Sequence, residues 1–307
     1  MDGILNINKP AGVTSFAAVS AVKRLTGERR VGHAGTLDPL AEGVLPVCLG
    51  RGTRIQEFLL DGRKVYRAEL KLGEETDTYD AEGLITRRAD ASSVVRPVFE
   101  EALKPFRGQI EQVPPMFSAL KHRGQCLYTL ARAGVVVERP ARPVHIYRLE
   151  LLEFENPVAT IEVECSRGTY VRALAHDIGM LLGCGAHLRG LKRLKYGCFD
   201  IEGAVSLAEF EKACRHGYWR RLVYAPDTAL LHWPALVVAD GLGADVRHGR
   251  PVAFEEAGLQ GEALSAGHCR VYGQDGSFLA LMSFRADSNQ WHPDKVFFGV
   301  SQENGAA

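Results

Sequence analysis

The sequence predicts an α/β protein of the α+β type, with a mixed sheet flanked by helices and a small β-barrel at the C-terminal end. Four segments alternate apolar and polar residues with the period of a strand: 3–8, 63–73, 144–151 and 160–165. Two others, 16–25 and 173–182, place apolar residues at helical spacing. After residues 225–227 the chain changes to short apolar runs separated by glycines, including 234–238, 246–252, 269–272 and 278–282, which is typical of a small barrel.

The composition fits a soluble globular protein with one large and one small domain. The chain has 307 residues, of which 46% are hydrophobic and 24% charged. We expect domains at 1–230 and 231–307. No segment approaches the about 18 uninterrupted apolar residues of a spanning helix, and the first residues lack a secretory signal. We therefore expect a cytoplasmic protein without membrane contact, and we expect residues 302–307 to be disordered.

The cysteine pattern argues against a disulfide framework and against a structural zinc site. The seven cysteines are scattered, their number is odd, and no two are separated by two residues. We expect neither a metal nor another cofactor.

The formal net charge is zero, so an RNA surface would have to be a local basic patch. Residues 231–307 hold five lysines and arginines against nine aspartates and glutamates. Four basic residues fall within seven positions of one predicted strand, and we expect them to contact RNA phosphates: Arg189, Lys192, Arg193 and Lys195. The alternative is an ordinary solvated face.

The segment 32–39 presents one carboxylate on a stiff loop. Gly32 and Gly35 permit tight turns, and Pro39 biases Asp38 towards an extended conformation. The apolar run 44–49 that follows would anchor the loop to a core. Asp38 is therefore the candidate catalytic residue, although an Asp-Pro pair can also be only a turn.

Two further segments suggest a site. The strand 63–73 places Tyr66 on its apolar face, pointing towards a core or a cleft. Residues 166–172 join a strand, a glycine turn and a helix N-terminus, which is a natural place for an anion.

Residues 32–45, Gly-His-Ala-Gly-Thr-Leu-Asp-Pro-Leu-Ala-Glu-Gly-Val-Leu, resemble the catalytic motif of the TruB family of tRNA pseudouridine synthases. Segments 9–15, 63–80, 113–121 and 166–172 resemble further motifs of the family in the expected order. The C-terminal region resembles a PUA domain. The resemblance implies the pseudouridine synthase fold, with a mainly antiparallel sheet, and isomerisation of uridine 55 in the T arm of tRNA by a monomer without a cofactor.

The resemblance also implies roles for the residues around the loop. Asp38 would be the catalytic aspartate, paired with Arg172, which would lower its pKa and keep it ionised. Lys9 and Pro10 would support the loop, whereas Ser15 is better read as part of a helix cap.

The resemblance assigns four more residues to a flipped-out uridine. Tyr66 would stack on the base, and Tyr170 and Leu191 would line its pocket. His33 would fill the space that the base leaves in the RNA. Whether Asp38 attacks C1′, adds at C6 or takes a proton from C2′ stays open.

Two other functions compete with this one. A glycoside hydrolase would need a second catalytic carboxylate, for which Glu42 is the nearest candidate in the motif. An RNA-binding or chaperone protein without catalysis would use the basic strand and the C-terminal region alone.

Overall fold

Two larger β-sheets, two two-stranded sheets and flanking helices make up the described part of the computed structural model, residues 1–59, 62–253 and 267–297. The strands are β1 (Gly3–Lys9), β2 (Val31–His33), β3 (Glu42–Leu49), β4 (Lys64–Leu72), β5 (Glu74–Thr76), β6 (Ile85–Arg88), β7 (Gly108–Gln112), β8 (Lys121–His122), β9 (Gln125–Cys126), β10 (Arg142–Glu155), β11 (Val158–Cys165), β12 (Ala186–Tyr196), β13 (Phe199–Asp200), β14 (Val205–Ser206), β15 (Val223–Tyr224), β16 (Ala235–Val238), β17 (Val252–Ala253), β18 (His268–Gly273), β19 (Phe278–Arg285) and β20 (Gln290–Val296). The α-helices are α1 (Ser15–Thr26), α2 (Gln56–Leu59), α3 (Arg96–Leu103), α4 (Leu127–Arg132), α5 (Val171–Leu181), α6 (Leu207–Arg215) and α7 (Asp240–Arg247). The predicted disorder at 302–307 concerns residues outside the described ranges.

The larger sheet is mixed and mainly antiparallel, as predicted. Its order is β14-β1-β3-β12-β4-β11-β10-β7, with β2, β13 and β15 paired at its side. Among the described strands of this sheet, β1–β14 and β12–β3 are the parallel pairs. Strands β12 and β4 therefore lie side by side at its centre, with β3 next to them.

The pleat of β4 separates the two faces of this sheet. Tyr66 and Ala68 on one face are buried in the main core, whereas Arg67 and Glu69 on the other face are exposed. In the antiparallel register Leu191 of β12 lies opposite Ala68, so the same two faces continue across the pair.

Helix α1 begins with a side-chain cap and ends with a left-handed glycine. The Thr14 side chain accepts a hydrogen bond from the Ala17 amide, and Gly27 at the end has a φ of 71°. Thr14 therefore caps the helix, which leaves the buried Ser15 side chain for another contact.

The C-terminal sheet is curled into a half-barrel rather than closed. Its order is β16-β18-β19-β20-β17, and α7 packs against it. The prediction of a strand at 246–252 was wrong, since α7 extends to Arg247 and β17 starts only at Val252. Leu242 and Val246 are four residues apart and pack together in the apolar cluster of this sheet, which is a helical pattern.

An apolar cluster joins the two sheets. Ile4, Cys48 and Ile55 from the N-terminal part pack with Leu281 and Phe297 from the C-terminal sheet. The first strands of the larger sheet and the C-terminal region thus share buried contacts.

Candidate active site

The loop between β2 and β3 is held by side chains from β1 and α1. Ser15 Oγ accepts from the Leu37 amide at 2.9 Å and donates to the Leu37 carbonyl at 2.8 Å. The ammonium of the fully buried Lys9 donates to the Val13 carbonyl at 2.5 Å and to the Pro39 carbonyl at 3.4 Å. Both residues that flank Asp38 are therefore fixed, and burial lowers the pKa of Lys9 to about 8.

Arg172 joins Asp38 to a second carboxylate. Its Nε lies 2.9 Å from Asp38 Oδ2, and its Nη1 lies 3.3 Å from Asp80 Oδ2. Nη2 donates to the Phe117 carbonyl at 2.9 Å. Because Arg172 is only 5% exposed, its guanidinium has a fixed direction, and it in turn orients Asp38.

The pKa of Asp38 is raised rather than lowered. Burial disfavours the charged carboxylate, and the Asp80 charge adds to this effect. Arg172 and Lys9 lower the pKa but do not outweigh burial. Arg172 therefore lowers this pKa as expected, but the net shift is upward because burial has the larger effect.

A cavity of about 540 Å³ opens above Asp38. Tyr66, Tyr170 and Leu191 line it, and burial raises the pKa of both tyrosines, which keeps their hydroxyls protonated at neutral pH. The Gln112 side chain holds Tyr170 by accepting from its amide at 2.8 Å and donating to its carbonyl at 3.0 Å. The cavity is large enough for one nucleoside, and its lining combines apolar side chains with polar and charged ones.

Arg193 is part of the cavity wall and does not reach the protein surface. It is 1% exposed, and it donates to the Val44 carbonyl at 2.6 Å and to the Gly35 carbonyl at 2.9 Å. In the register of β12 and β4 it lies opposite Tyr66. The prediction of a phosphate contact was wrong for Arg193, because the pleat turns it to the buried face, where it donates to the Gly35 carbonyl of the loop that carries Asp38.

Models of known families match most of the chain. Residues 23–171 match the TruB family pseudouridylate synthase N-terminal domain, and residues 172–230 match the tRNA pseudouridylate synthase B C-terminal domain. The chain is 44% identical over 306 residues to tRNA pseudouridine synthase B of Dehalococcoides mccartyi (strain CBDB1), with 100% of both chains covered.

The chain belongs to the TruB family of pseudouridylate synthases.

Two further comparisons agree with membership of this family. The tRNA pseudouridine synthase B of Pseudomonas aeruginosa (strain UCBPP-PA14) is 45% identical over 284 residues, which cover 92% of this chain and 91% of the relative. A crystal structure of a Cbf5-Nop10-Gar1 complex contains a chain that superposes with a TM-score of 0.74 at 28% identity. That match covers 96% of this chain and 85% of the other. The sequence resemblance is confirmed, and the chain is an isomerase with the pseudouridine synthase fold.

The other basic residues of β12 in this TruB family member lie on the outer face of the sheet, away from the cavity. Lys192 is 3.3 Å from Glu42, and Arg189 is 3.9 Å from Glu69. Lys195 is exposed and lines a surface groove with Lys192. Acidic partners thus offset much of the positive charge that the sequence places here.

His33 does not line the cavity. It lies on β2, half-buried, and its carbonyl accepts from Gln56 Nε2 at 2.9 Å. Pro10 is exposed in the turn that follows β1, and its carbonyl accepts from Lys9 at 2.9 Å. Lys9 therefore contacts the loop directly, whereas His33 lies beside it.

Sequence reasoning missed three residues that position the site: Ser15, Asp80 and Gln112. Asp80 lies in the segment 63–80 that resembles the family, so a signal for it was present. Ser15 also lies in such a segment, but its position beside a helix cap favoured the wrong interpretation. Gln112 carries no signal in the sequence, since only the fold brings it to Tyr170.

Two exposed arginines lie at the cavity mouth. Arg142 begins β10 and Arg167 precedes α5, and both line the cavity beside Asp38. Arginines at a cavity mouth are suited to contact the phosphates of a nucleic acid whose base lies inside.

Residues 1–59, 62–253 and 267–297 hold no group of three or more His, Cys, Asp or Glu side chains placed for a metal ion. The seven cysteines are free, and four of them are buried. No helix in these ranges is long and apolar enough to cross a membrane.

Proposed function

We propose that this enzyme isomerises uridine 55 in the T arm of tRNA, with Asp38 as the catalytic carboxylate acting on a uridine rotated out of its stack. The pairing of Asp38 with the buried Arg172, at 2.9 Å on the cavity floor, carries the proposal. The two relatives described above are named tRNA pseudouridine synthases and match over nearly the whole chain, which supports tRNA as substrate.

The reaction moves one bond and one proton and leaves the composition unchanged. The N1–C1′ bond breaks, a C5–C1′ bond forms, and the proton on C5 is replaced by one on nitrogen. Asp38 acts as nucleophile or base, and Arg172 stabilises its charge. Tyr66 stacks on the base and relays a proton, while Tyr170 and Leu191 hold the detached uracil. The reaction consumes no cofactor.

The RNA lies across the cavity mouth in this proposal. Arg142 and Arg167 contact phosphates beside the extruded nucleotide, where the cavity opens. The outer-face residues Arg189, Lys192 and Lys195 add weaker phosphate contacts, because Glu42 and Glu69 already neutralise part of their charge.

We further propose that His33 fills the gap that the base leaves in the RNA and that Lys9 and Pro10 support the loop. In this proposal the enzyme acts as a monomer. Residues 1–230 form the catalytic domain and residues 231–307 a PUA-like RNA-binding domain.

The hydrolase alternative lacks a second catalytic carboxylate within the described cavity. Glu42 pairs with Lys192 on the outer face and does not line the cavity. Asp80 is held by Arg172 and by Thr78, whose Oγ1 donates to it at 2.6 Å. Membership of a synthase family likewise argues against a protein that only binds RNA.

The test is single-turnover isomerisation of a T-arm stem-loop by Asp38→Asn at saturating enzyme. Asparagine keeps the shape but removes the charge, so the rate should fall at least ~10³-fold while the RNA Kd stays within a few-fold. Asp90→Asn, at an exposed position, serves as the matched control and should retain the full rate. Substantial isomerisation by Asp38→Asn would show that the loop is only a turn.

A further inference from the structure

A tyrosine with a left-handed backbone conformation lies directly before Asp80. Tyr79 has a φ of 63°, which is unfavourable for a residue with a β-carbon. In the described ranges, Arg123 and Asn289 are the other residues besides glycine with positive φ. Such a conformation persists where surrounding contacts hold it, and it occurs often near functional sites.

The backbone of Tyr79 is fastened to the central strand β12. The Tyr79 carbonyl accepts from the Leu188 amide at 3.0 Å, and the Ala81 amide donates to the Leu188 carbonyl at 2.9 Å. The Thr76 side chain donates to the Asp80 carbonyl at 2.7 Å. One side of the turn that carries Asp80 is thus fixed by the sheet.

The ring of Tyr79 fastens the other side of the turn to α5. It stacks on the His176 ring with centroids 4.0 Å apart and planes at 13°. His176 follows Arg172 by four residues, so both side chains lie on one face of the helix. Among the described residues, the buried Nδ1 of His176 has no hydrogen-bond partner. The stack with Tyr79, and not a hydrogen bond at Nδ1, therefore orients the His176 ring.

We propose that Tyr79 and His176 are positioning residues for the isomerisation. Their stack sets the separation between the turn that carries Asp80 and the helix that carries Arg172. Arg172 spans this separation, with 3.3 Å to Asp80 and 2.9 Å to Asp38. A shift of the turn would therefore redirect the guanidinium and with it Asp38, and displacements of about 1 Å can cost ~10²-fold in rate.

This inference rests on the proposed function, since it requires Asp38 to be the reacting group. Neither ring lines the cavity, so both residues act through Arg172 and not on the substrate. Loss of the stack should consequently lower the single-turnover rate without weakening RNA binding.

The experiment is a double-mutant cycle in the full-length protein with Tyr79→Gly, His176→Ala and the combination. Glycine accepts the positive φ without strain, so the first variant removes only the ring. Each single change should lower the single-turnover rate about 5- to 20-fold, and the double variant should resemble the slower single one. The Kd for a T-arm stem-loop should stay within about twofold. His176→Phe, which keeps a ring, should recover most of the rate.

Asp90→Asn, at an exposed position outside the cavity lining, is the control and should leave the rate unaltered. Wild-type rates in both single variants would overturn the inference. So would additive losses, or losses that follow the melting temperature and that His176→Phe does not recover. Wild-type enzyme and Asp38→Asn belong in the same series. An inactive wild type would refute the proposed function, whereas active Tyr79→Gly beside inactive Asp38→Asn would refute only the positioning role.

Discussion

The two faces of the strand pair β4 and β12 use the same residue types in opposite ways. On the inner face Arg193 is buried and donates to the Gly35 and Val44 carbonyls, beside the loop that carries Asp38. On the outer face Lys192, its neighbour in sequence, is partly exposed and pairs with Glu42. The position of a cation in the pleat, and not its presence in a basic run, decides whether it organises the site or faces solvent.

The energetic consequences differ in the same way. A buried cation that satisfies fixed oxygen atoms cannot be removed without leaving those atoms unpaired. An exposed ion pair contributes about 0–1 kcal/mol and is screened by salt. Changes on the inner face should therefore alter the chemistry, and equal changes on the outer face should alter only weak RNA contacts.

Arg172→Lys should lower the single-turnover rate most strongly relative to a matched change on the outer face. Lysine keeps the charge but cannot reach Asp38, Asp80 and the Phe117 carbonyl together. We expect a fall of roughly 10²- to 10³-fold in single-turnover rate, which corresponds to about 3–4 kcal/mol of activation free energy. The outer-face control Arg67→Lys should retain the full rate, and an equal loss in both variants would refute the comparison.

Arg193→Met should follow, with effects on both rate and stability. Methionine fills part of the space but leaves the Gly35 and Val44 carbonyls without their donor, at about 1–3 kcal/mol each. We expect a rate at least ~10-fold lower and a melting temperature lower by several degrees. The slope of log affinity against log salt should not change. Lys192→Met is the control. A flatter slope in Arg193→Met alone would show that Arg193 does contact an RNA phosphate.

Paired neutralisations compare the cavity mouth with the outer face. Arg142→Gln with Arg167→Gln removes two cations at the mouth, and should flatten the salt slope by about 1.5 and weaken RNA binding about tenfold. Lys192→Gln with Lys195→Gln removes two cations from the outer face and should have less than half of this effect. A larger effect of the outer pair in binding titrations at several salt concentrations would contradict the proposed RNA path.

The smallest effect is a shift in the pH dependence. The pKa of Asp38 is raised, and the proposed mechanism needs its carboxylate, so the rate should rise as pH increases through that pKa. Asp80 is one cause of the raised pKa, and Asp80→Asn should therefore move the acid limb to lower pH, even with a lower plateau rate. Asp240→Asn, outside the site, should leave the acid limb in place. A shift to higher pH in Asp80→Asn would contradict the electrostatic account.

The local patterns of the chain predict most of the larger sheet. Alternation in 63–73 placed Tyr66 on the buried face, and β4 has that orientation. The short apolar run at 246–252 predicts a strand, and this prediction is wrong. A helix with its apolar residues four apart continues there to Arg247. Strand β20 was not predicted because Pro293 interrupts its pattern, although the pairing of Pro293 with Met282 is maintained.

The family, the mixed fold and the loop that presents Asp38 are predictable from the sequence alone, because they depend on residues close together in the chain. Which cations face the cavity, by contrast, depends on the tertiary structure. Arg172 and Asp80 are 92 residues apart in sequence, and bulges in β12 shift its register against β4 near Arg193 and Lys195. A single extra residue in a strand moves the following side chains to the opposite face. The direction of each side chain is thus set by strand pairing over long distances, which no local pattern records.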